Sequence, residues 1–228
     1  MKESLHPGNQ IHRVTNFQDL VSTPFQGERN AICWTRTLAG DFTEIVEKIK
    51  LSGNIREIDE KELFELPLSE AGELAREIIL SDFQALKAQG ASPVLNLIRN
   101  YERDHSCPFF PTDVYSFHVD RSPVPTDTFL CTYYGESSEL LPNSEAEQKV
   151  LVPEIRDELK KRYRGADEAF ESFLSEHFFD LHYRAKPQAT PIRTGLGNLW
   201  RLAVDYPGSQ ALPCTKEKNG QCRLLMIC

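Results

Sequence analysis

The sequence predicts an α+β protein whose β part closes into a barrel or jelly roll. Apolar residues recur at helical spacing within 40–90 and again within 153–177. Short runs rich in aromatic and β-branched residues, separated by turn signals, occupy 93–135 and 189–228. Helices followed by several short strands are typical of α+β chains whose strands close into a barrel or jelly roll.

The N-terminal third is expected to support this core. Residues 1–29 are interpreted as a polar lead-in, and 30–228 as a single domain. "NAICWTRTL" (30–38) predicts a short strand, and 40–90 predicts supporting helices. The clearest helix is capped by Ser69 and ends at Gly90, because serine caps helix starts and glycine favours helix ends.

The β core is predicted in two parts with a helical insert between them. Its first strands are "VLNLIRNYER" (94–103), "DVYSFHVD" (113–120) and "TFLCTYYG" (128–135). The charged stretch 153–177 begins with Pro153 and predicts helices, because proline suits the first turn of a helix. Strands return at 198–205, at "SQALPC" (209–214) and at "QCRLLMIC" (221–228), with turns at "YPG" (206–208) and "KNG" (218–220).

Composition narrows the function classes. The net charge of −8 argues against nucleic-acid binding, which needs a basic face. The sequence has no apolar run of membrane-spanning length and no apolar leader at its start, so we expect a cytoplasmic protein without membrane contact. The six cysteines are scattered and include no Cys-x-x-Cys pair, which favours reduced, buried thiols over a zinc ribbon.

The stretch "FHVD" contains the candidate metal site. His118 and Asp120 lie two residues apart at the end of a predicted strand. Side chains at that spacing point to the same face of a strand, so both could bind one divalent metal. The alternative is a polar pair near a turn, because His-x-Asp also arises by chance.

The wider pattern resembles that of double-stranded β-helix oxygenases, and this resemblance implies a double-stranded β-helix core, a cupin-like form of jelly roll. Those proteins place His-x-Asp early, a second histidine late and a basic residue on the following strand. The resemblance implies Fe(II) bound by His118 and Asp120, with Arg223 pairing with the 2-oxoglutarate cosubstrate. The late stretch "ALPCTKEK" (211–218) has no histidine, so Cys214 or His182 remain as candidate third ligands.

Three segments also resemble the bacterial family called domain of unknown function 1826. They are "NAICWTRTL", "FHVDRSPVPTDTFLCTYYG" and "RTGLGNLWRLAVDYPGSQALPC" followed by "CRLLMIC". The likeness extends from about residue 30 to the end of the chain. It implies a shared fold and no established activity.

Two functions stay open at this point. One is a metal-binding protein of the Fe(II)/2-oxoglutarate oxygenase type, active or degraded. The other is a non-catalytic β-barrel module that binds a metal, such as zinc closed off by Cys214 or His182, or a small acidic ligand. Arg121 and Arg193 could bind an acidic substrate or form surface salt bridges. If no metal binds, a structural interaction protein is the third interpretation, and the sequence leaves the oligomeric state undetermined.

Overall fold

The computed structural model describes residues 9–206, 213–217 and 222–228. Within these ranges the protein is mixed α+β, with six α-helices and two β-sheets, one of which curls into a half-barrel. The late turn at 207–208, most of the predicted strand 209–214 and the turn at 218–220 lie outside the described residues.

The helices occupy the N-terminal third and the insert. They are α1 (Phe17–Ser22), α2 (Phe42–Lys48), α3 (Glu60–Glu65), α4 (Glu70–Ala88), α5 (Pro153–Arg162) and α6 (Phe170–Glu176). No helix in the described ranges combines the length and apolarity that a membrane crossing requires.

The strands are short and number thirteen in the described residues. They are β1 (Ile11–Val14), β2 (Ala31–Trp34), β3 (Ile55–Ile58), β4 (Val94–Ile98), β5 (Phe117–His118), β6 (Asp127–Tyr134), β7 (Glu139–Leu141), β8 (Ala146–Gln148), β9 (His182–Ala185), β10 (Ile192–Arg193), β11 (Leu199–Ala203), β12 (Cys214–Lys216) and β13 (Arg223–Ile227). The seven-stranded sheet has the order β1-β2-β11-β6-β13-β4-β3, and the six-stranded sheet has the order β10-β7-β12-β5-β9-β8.

The chain passes back and forth between the two sheets. Strands β4 and β6 belong to the larger sheet, whereas β5 and β7 belong to the smaller one. The last three strands alternate in the same way, with β12 in the smaller sheet between β11 and β13 of the larger. This alternation brings the strand of His118 next to β12, although nearly a hundred residues separate them in sequence.

Within the predicted lead-in 1–29, the described residues from 9 onward contribute a strand and a helix to the fold. β1 pairs in parallel with β2, so Ile11–Val14 forms the outer strand of the larger sheet. Asn16 caps α1 by accepting a hydrogen bond from the Asp19 amide, and Leu20 of that helix is fully buried. The sequence pattern missed β1 because only four residues pair, and a four-residue run carries little periodicity.

Helix α4 confirms the predicted helix between Ser69 and Gly90. The Ser69 side chain accepts from the Gly72 amide, and Gly90 adopts a left-handed backbone with φ of 83°. The apolar face of α4, including Ile79 and Leu86, is buried in the main core against the larger sheet. α4 therefore holds that sheet in place from the side away from the site.

The insert is helical at α5 and α6, as predicted. The residues that flank the insert lie outside the two predicted β segments (93–135 and 189–228), and they form β7, β8 and β9 of the smaller sheet. These strands are three or four residues long and mix charged with apolar residues, so no two-residue alternation marks them. Arg121 connects the insert to the core through ion pairs with Asp180 and Asp205.

Candidate functional site

A cavity of about 320 Å³ contains the predicted His-x-Asp pair. Its walls come from both sheets, and its volume suits a small organic molecule. The lining residues divide into polar and apolar groups. They are His118, Asp120, Asn96, Tyr101, Thr128, Thr215 and Glu217, together with Ile55, Ile98, Val114, Leu130, Leu202 and Ile227.

His118 presents one ring nitrogen to Asp120 and uses the other for a backbone contact. Its Nδ1 lies 2.8 Å from the Ser116 carbonyl oxygen. A hydrogen bond there leaves Nε2 with a lone pair, which is the arrangement typical of metal-binding histidines. Nε2 lies 3.7 Å from Asp120 Oδ1, and Thr128 donates a hydrogen bond to Asp120 Oδ2 at 2.8 Å. The pair is therefore oriented on both sides by neighbouring groups.

The pair fits part of a metal centre. Two ligands that each lie about 2.1 Å from one ion are themselves about 3–3.5 Å apart, close to the His118–Asp120 separation. Among the described residues, no three His, Cys, Asp or Glu side chains form a group that could hold a metal ion. The residues fit a two-ligand cation site and do not fit the three-ligand iron centre of the oxygenases.

On β12, one of the two neighbours of β5, the residue opposite His118 is a threonine. In the antiparallel pair of β5 and β12, Thr215 is the register partner of His118. Directly opposed residues have their side chains on the same face, and Thr215 lines the cavity as His118 does. This is the place on β12 from which a late histidine would reach the His118–Asp120 pair.

Cys214 points away from the pair. It is buried in an apolar cluster with Phe117, Val119 and Leu141, on the other face of the smaller sheet. Burial raises the pKa of its thiol to about 12, so the metal-binding thiolate form is disfavoured. The structure therefore places the predicted ligand Cys214 away from His118 and Asp120, because neighbouring residues of a strand face opposite sides.

His182 lies beside His118 without completing the site. It is the register partner of His118 on β9, and the two ring centroids are 6.1 Å apart. Its Nδ1 is buried and has no hydrogen-bond partner within the part of the chain that the structure describes. Burial, with smaller contributions from His118 and Lys149, lowers the pKa of His182 to about 4. His182 is therefore a neutral, packed neighbour of His118.

Arg223 is buried outside the cavity lining and has an anionic partner, Glu217, which does line the cavity. Its side chain is 1% exposed and forms an ion pair with Glu217, whose side chain is 12% exposed. Arg223 Nη2 also donates to Thr132 Oγ1 at 3.2 Å and to Ser138 Oγ at 3.1 Å. Burial lowers the pKa of Arg223, yet a guanidinium stays charged at any ordinary pH.

The two other predicted cations lie outside the cavity lining. Arg121 is engaged by Asp180 and Asp205 at 2.7 and 2.6 Å, and it also donates to Ser175. The Arg193 side chain is 65% exposed and lies 3.7 Å from Glu136. Both match the alternative of surface salt bridges, and among the described residues no lysine or arginine lines the cavity.

Sequence reasoning missed the residues of β12 and its end. Thr215 and Glu217 line the cavity, whereas the intervening Lys216 lies over the Phe117 ring on the other face. The two-residue spacing of Thr215 and Glu217 is the signal that could have identified them. Tyr101 and Thr128 carried no comparable signal. A single polar residue does not reveal whether its side chain points into a cavity or towards solvent.

Comparisons with known proteins provide no relative for this chain: no family model, no curated protein and no solved structure matches it.

Proposed function

We propose that this protein is a non-catalytic binding module with a double-stranded β-helix core, which holds a small ligand and a divalent metal in the cavity between its sheets. The observation that carries the proposal is the His118–Asp120 pair on the cavity wall, separated by 3.7 Å and oriented by Ser116 and Thr128. Two protein ligands hold a metal weakly, so a bound small molecule would supply further ligands.

The strand order supports the jelly-roll part of this proposal. In a double-stranded β-helix, consecutive strands alternate between two facing sheets. Here β4, β5, β6 and β7 alternate, and so do β11, β12 and β13. β5, β12, β7 and β10 lie side by side in one sheet, as do β4, β13, β6 and β11 in the other. The membership in the domain of unknown function 1826 family remains a prediction.

The cysteine chemistry supports a reducing location. All six cysteines lie in described residues, and none forms a disulfide. Free thiols of this kind are typical of cytoplasmic proteins, so we propose that the protein is cytoplasmic.

Metal titration tests the binding proposal. Protein purified without chelator is titrated with Co²⁺ and Zn²⁺, and a His118→Ala/Asp120→Ala variant is compared with a His12→Ala/Glu28→Ala variant. His12 and Glu28 line a separate surface pocket and provide the matched control. We expect about one metal per chain, bound weakly, in the wild type and the control. Saturable binding that survives in the His118→Ala/Asp120→Ala variant would refute the proposal.

A second candidate is an Fe(II)/2-oxoglutarate oxygenase, favoured by His118 Nε2, which lies 3.7 Å from Asp120 Oδ1, and by Arg223 on the last strand. Two observations argue against it: Thr215 is the residue opposite His118 on β12, and the Glu217 carboxylate is paired with Arg223. The test loads the protein with Fe(II) under anaerobic conditions, adds 2-oxoglutarate and O₂, and measures the release of succinate and CO₂. Turnover that depends on His118 would establish the oxygenase in place of the binding module.

A further inference from the structure

The carboxylate of Glu217 lies against the Arg223 guanidinium and the Ser138 hydroxyl, so a side chain of the same chain occupies the place of a carboxylate ligand. Ser138 Oγ lies 2.9 and 3.1 Å from the two oxygens of Glu217, and it also accepts from Arg223 Nη2 at 3.1 Å. Arg223 and Ser138 therefore surround one carboxylate in the way that a binding site surrounds a ligand. The Glu217 backbone is fixed as well, because its amide donates to the Val114 carbonyl at 2.8 Å.

Glu217 lies between the buried arginine and the cavity. Glu217 lines the cavity, whereas Arg223 does not. A ligand in the cavity would therefore meet the Glu217 carboxylate before it could reach the guanidinium. Asp120 also lines the cavity, and its side chain is 42% exposed. Among the described residues, the two carboxylates that line the cavity are therefore Asp120 and Glu217, and Arg223 pairs with Glu217.

We infer that Glu217 acts as an internal carboxylate ligand of Arg223, so that the Arg223 guanidinium is closed to 2-oxoglutarate and other small carboxylates that enter the cavity. This inference rests on the proposed binding function of the cavity and specifies a class of ligand that Arg223 does not bind. It concerns residues of β12 and β13, separate from the His118–Asp120 pair.

Glu217 has an advantage over a free carboxylate in binding Arg223 because it belongs to the same chain. A tethered side chain competes at an effective concentration of the order of millimolar or higher, without the loss of translational freedom that a free ligand suffers. A free carboxylate must also desolvate beside Asp120 and displace Glu217 into a place where that charge has no cation. Both costs vanish when Glu217 is removed, so its removal should open the site to external carboxylates.

The experiment is a carboxylate rescue. Wild type, Glu217→Ala and Glu217→Gln are titrated with acetate and with 2-oxoglutarate, with chloride as the ionic-strength control, and both heat of binding and Tm are measured. We expect no saturable binding by wild type. We expect Glu217→Ala to melt lower than wild type and to regain about 3–5 °C in a carboxylate at ten times its Kd. Glu217→Gln retains the side-chain size and provides a folded variant with at least tenfold stronger binding than wild type.

Two controls make the outcome decisive. Adding Arg223→Gln to Glu217→Gln should abolish the rescue, and Glu136→Ala, which removes a surface carboxylate beside Arg193, should behave as wild type. The inference is overturned if wild type binds 2-oxoglutarate as tightly as Glu217→Gln does, or if the folded Glu217→Gln variant binds no carboxylate. Either result leaves the metal titration at His118 and Asp120 unaffected, so the two proposals fail independently.

Discussion

Replacing Thr215 with histidine should convert the two-ligand pair into a three-ligand metal site. Thr215 is the register partner of His118, and both side chains line the same cavity. A histidine there would project from the same face as His118 and Asp120, with about 320 Å³ of cavity beside it. Two histidines and one carboxylate form the facial triad that holds iron with open positions.

The expected gain follows from the contribution of one ligand. Structural zinc sites with four ligands provide roughly 10–16 kcal/mol, or about 2.5–4 kcal/mol per ligand. That range corresponds to roughly a hundredfold to a thousandfold tighter binding. Part of this binding free energy will be lost, because the new histidine ring must be ordered when the metal binds. We therefore expect Thr215→His to bind Co²⁺ and Zn²⁺ about a hundredfold more tightly than wild type.

Competition with a chromophoric chelator measures the affinity, and the Co²⁺ absorption spectrum reports the number of ligands. Lys216→His is the matched control, because Lys216 is the next residue and lies over Phe117 on the opposite face of the sheet. If Lys216→His raises the affinity as much as Thr215→His, or if neither raises it, the register argument for the site is refuted.

Three further predictions concern stability. Burial lowers the pKa of His182 from 6.5 to about 4, so between these values the unfolded state binds the proton more readily than the folded state. The free energy of unfolding should therefore keep this contribution in full above pH 6.5 and fall by about 3 kcal/mol towards pH 4. His182→Phe should flatten this part of a plot of Tm against pH, and an unchanged slope would show that His182 is not the group responsible. Asp82→Asn should lower the free energy of unfolding in urea by about 3–5 kcal/mol, because the Arg36 guanidinium, 11% exposed, would lose its buried carboxylate partner. A loss below about 1 kcal/mol would show that Arg36 finds another partner. Leu86→Ala should lower the free energy of unfolding by about 2–5 kcal/mol, because the Leu86 side chain is fully buried. Leu74 is 42% exposed, so Leu74→Ala should lower it by less than about 1 kcal/mol. Equal losses would contradict the packing of α4.

The helices and the longer strands could be predicted because their signals are local. The α4 cap at Ser69, its end at Gly90 and its apolar face all lie within one stretch of sequence. The strand β6 (Asp127–Tyr134) has eight residues, of which five are aromatic or β-branched, enough for the strand to be recognised. β7, β8 and β9 have three or four residues each, and their pairing depends on partners far away in sequence.

The candidate site shows the same division. The sequence placed His118 and Asp120 on one face, because the spacing of two residues determines this wherever the strand lies. It could not tell that Cys214 faces away, because that depends on the register between β12 and its neighbours. A shift of one residue would have brought Cys214 to the cavity in place of Thr215.

The sequence by itself therefore determined the mixed α+β class, the long helix, the insert helices and the His-x-Asp pair. Only the tertiary structure decided which residues complete the cavity. They are Thr215, which lies opposite His118, and Glu217, which forms an ion pair with Arg223. The physical reason is that side-chain direction along one strand follows from local backbone geometry, whereas contact between strands follows from register. Register is determined by the whole sheet, so no short stretch of sequence carries it.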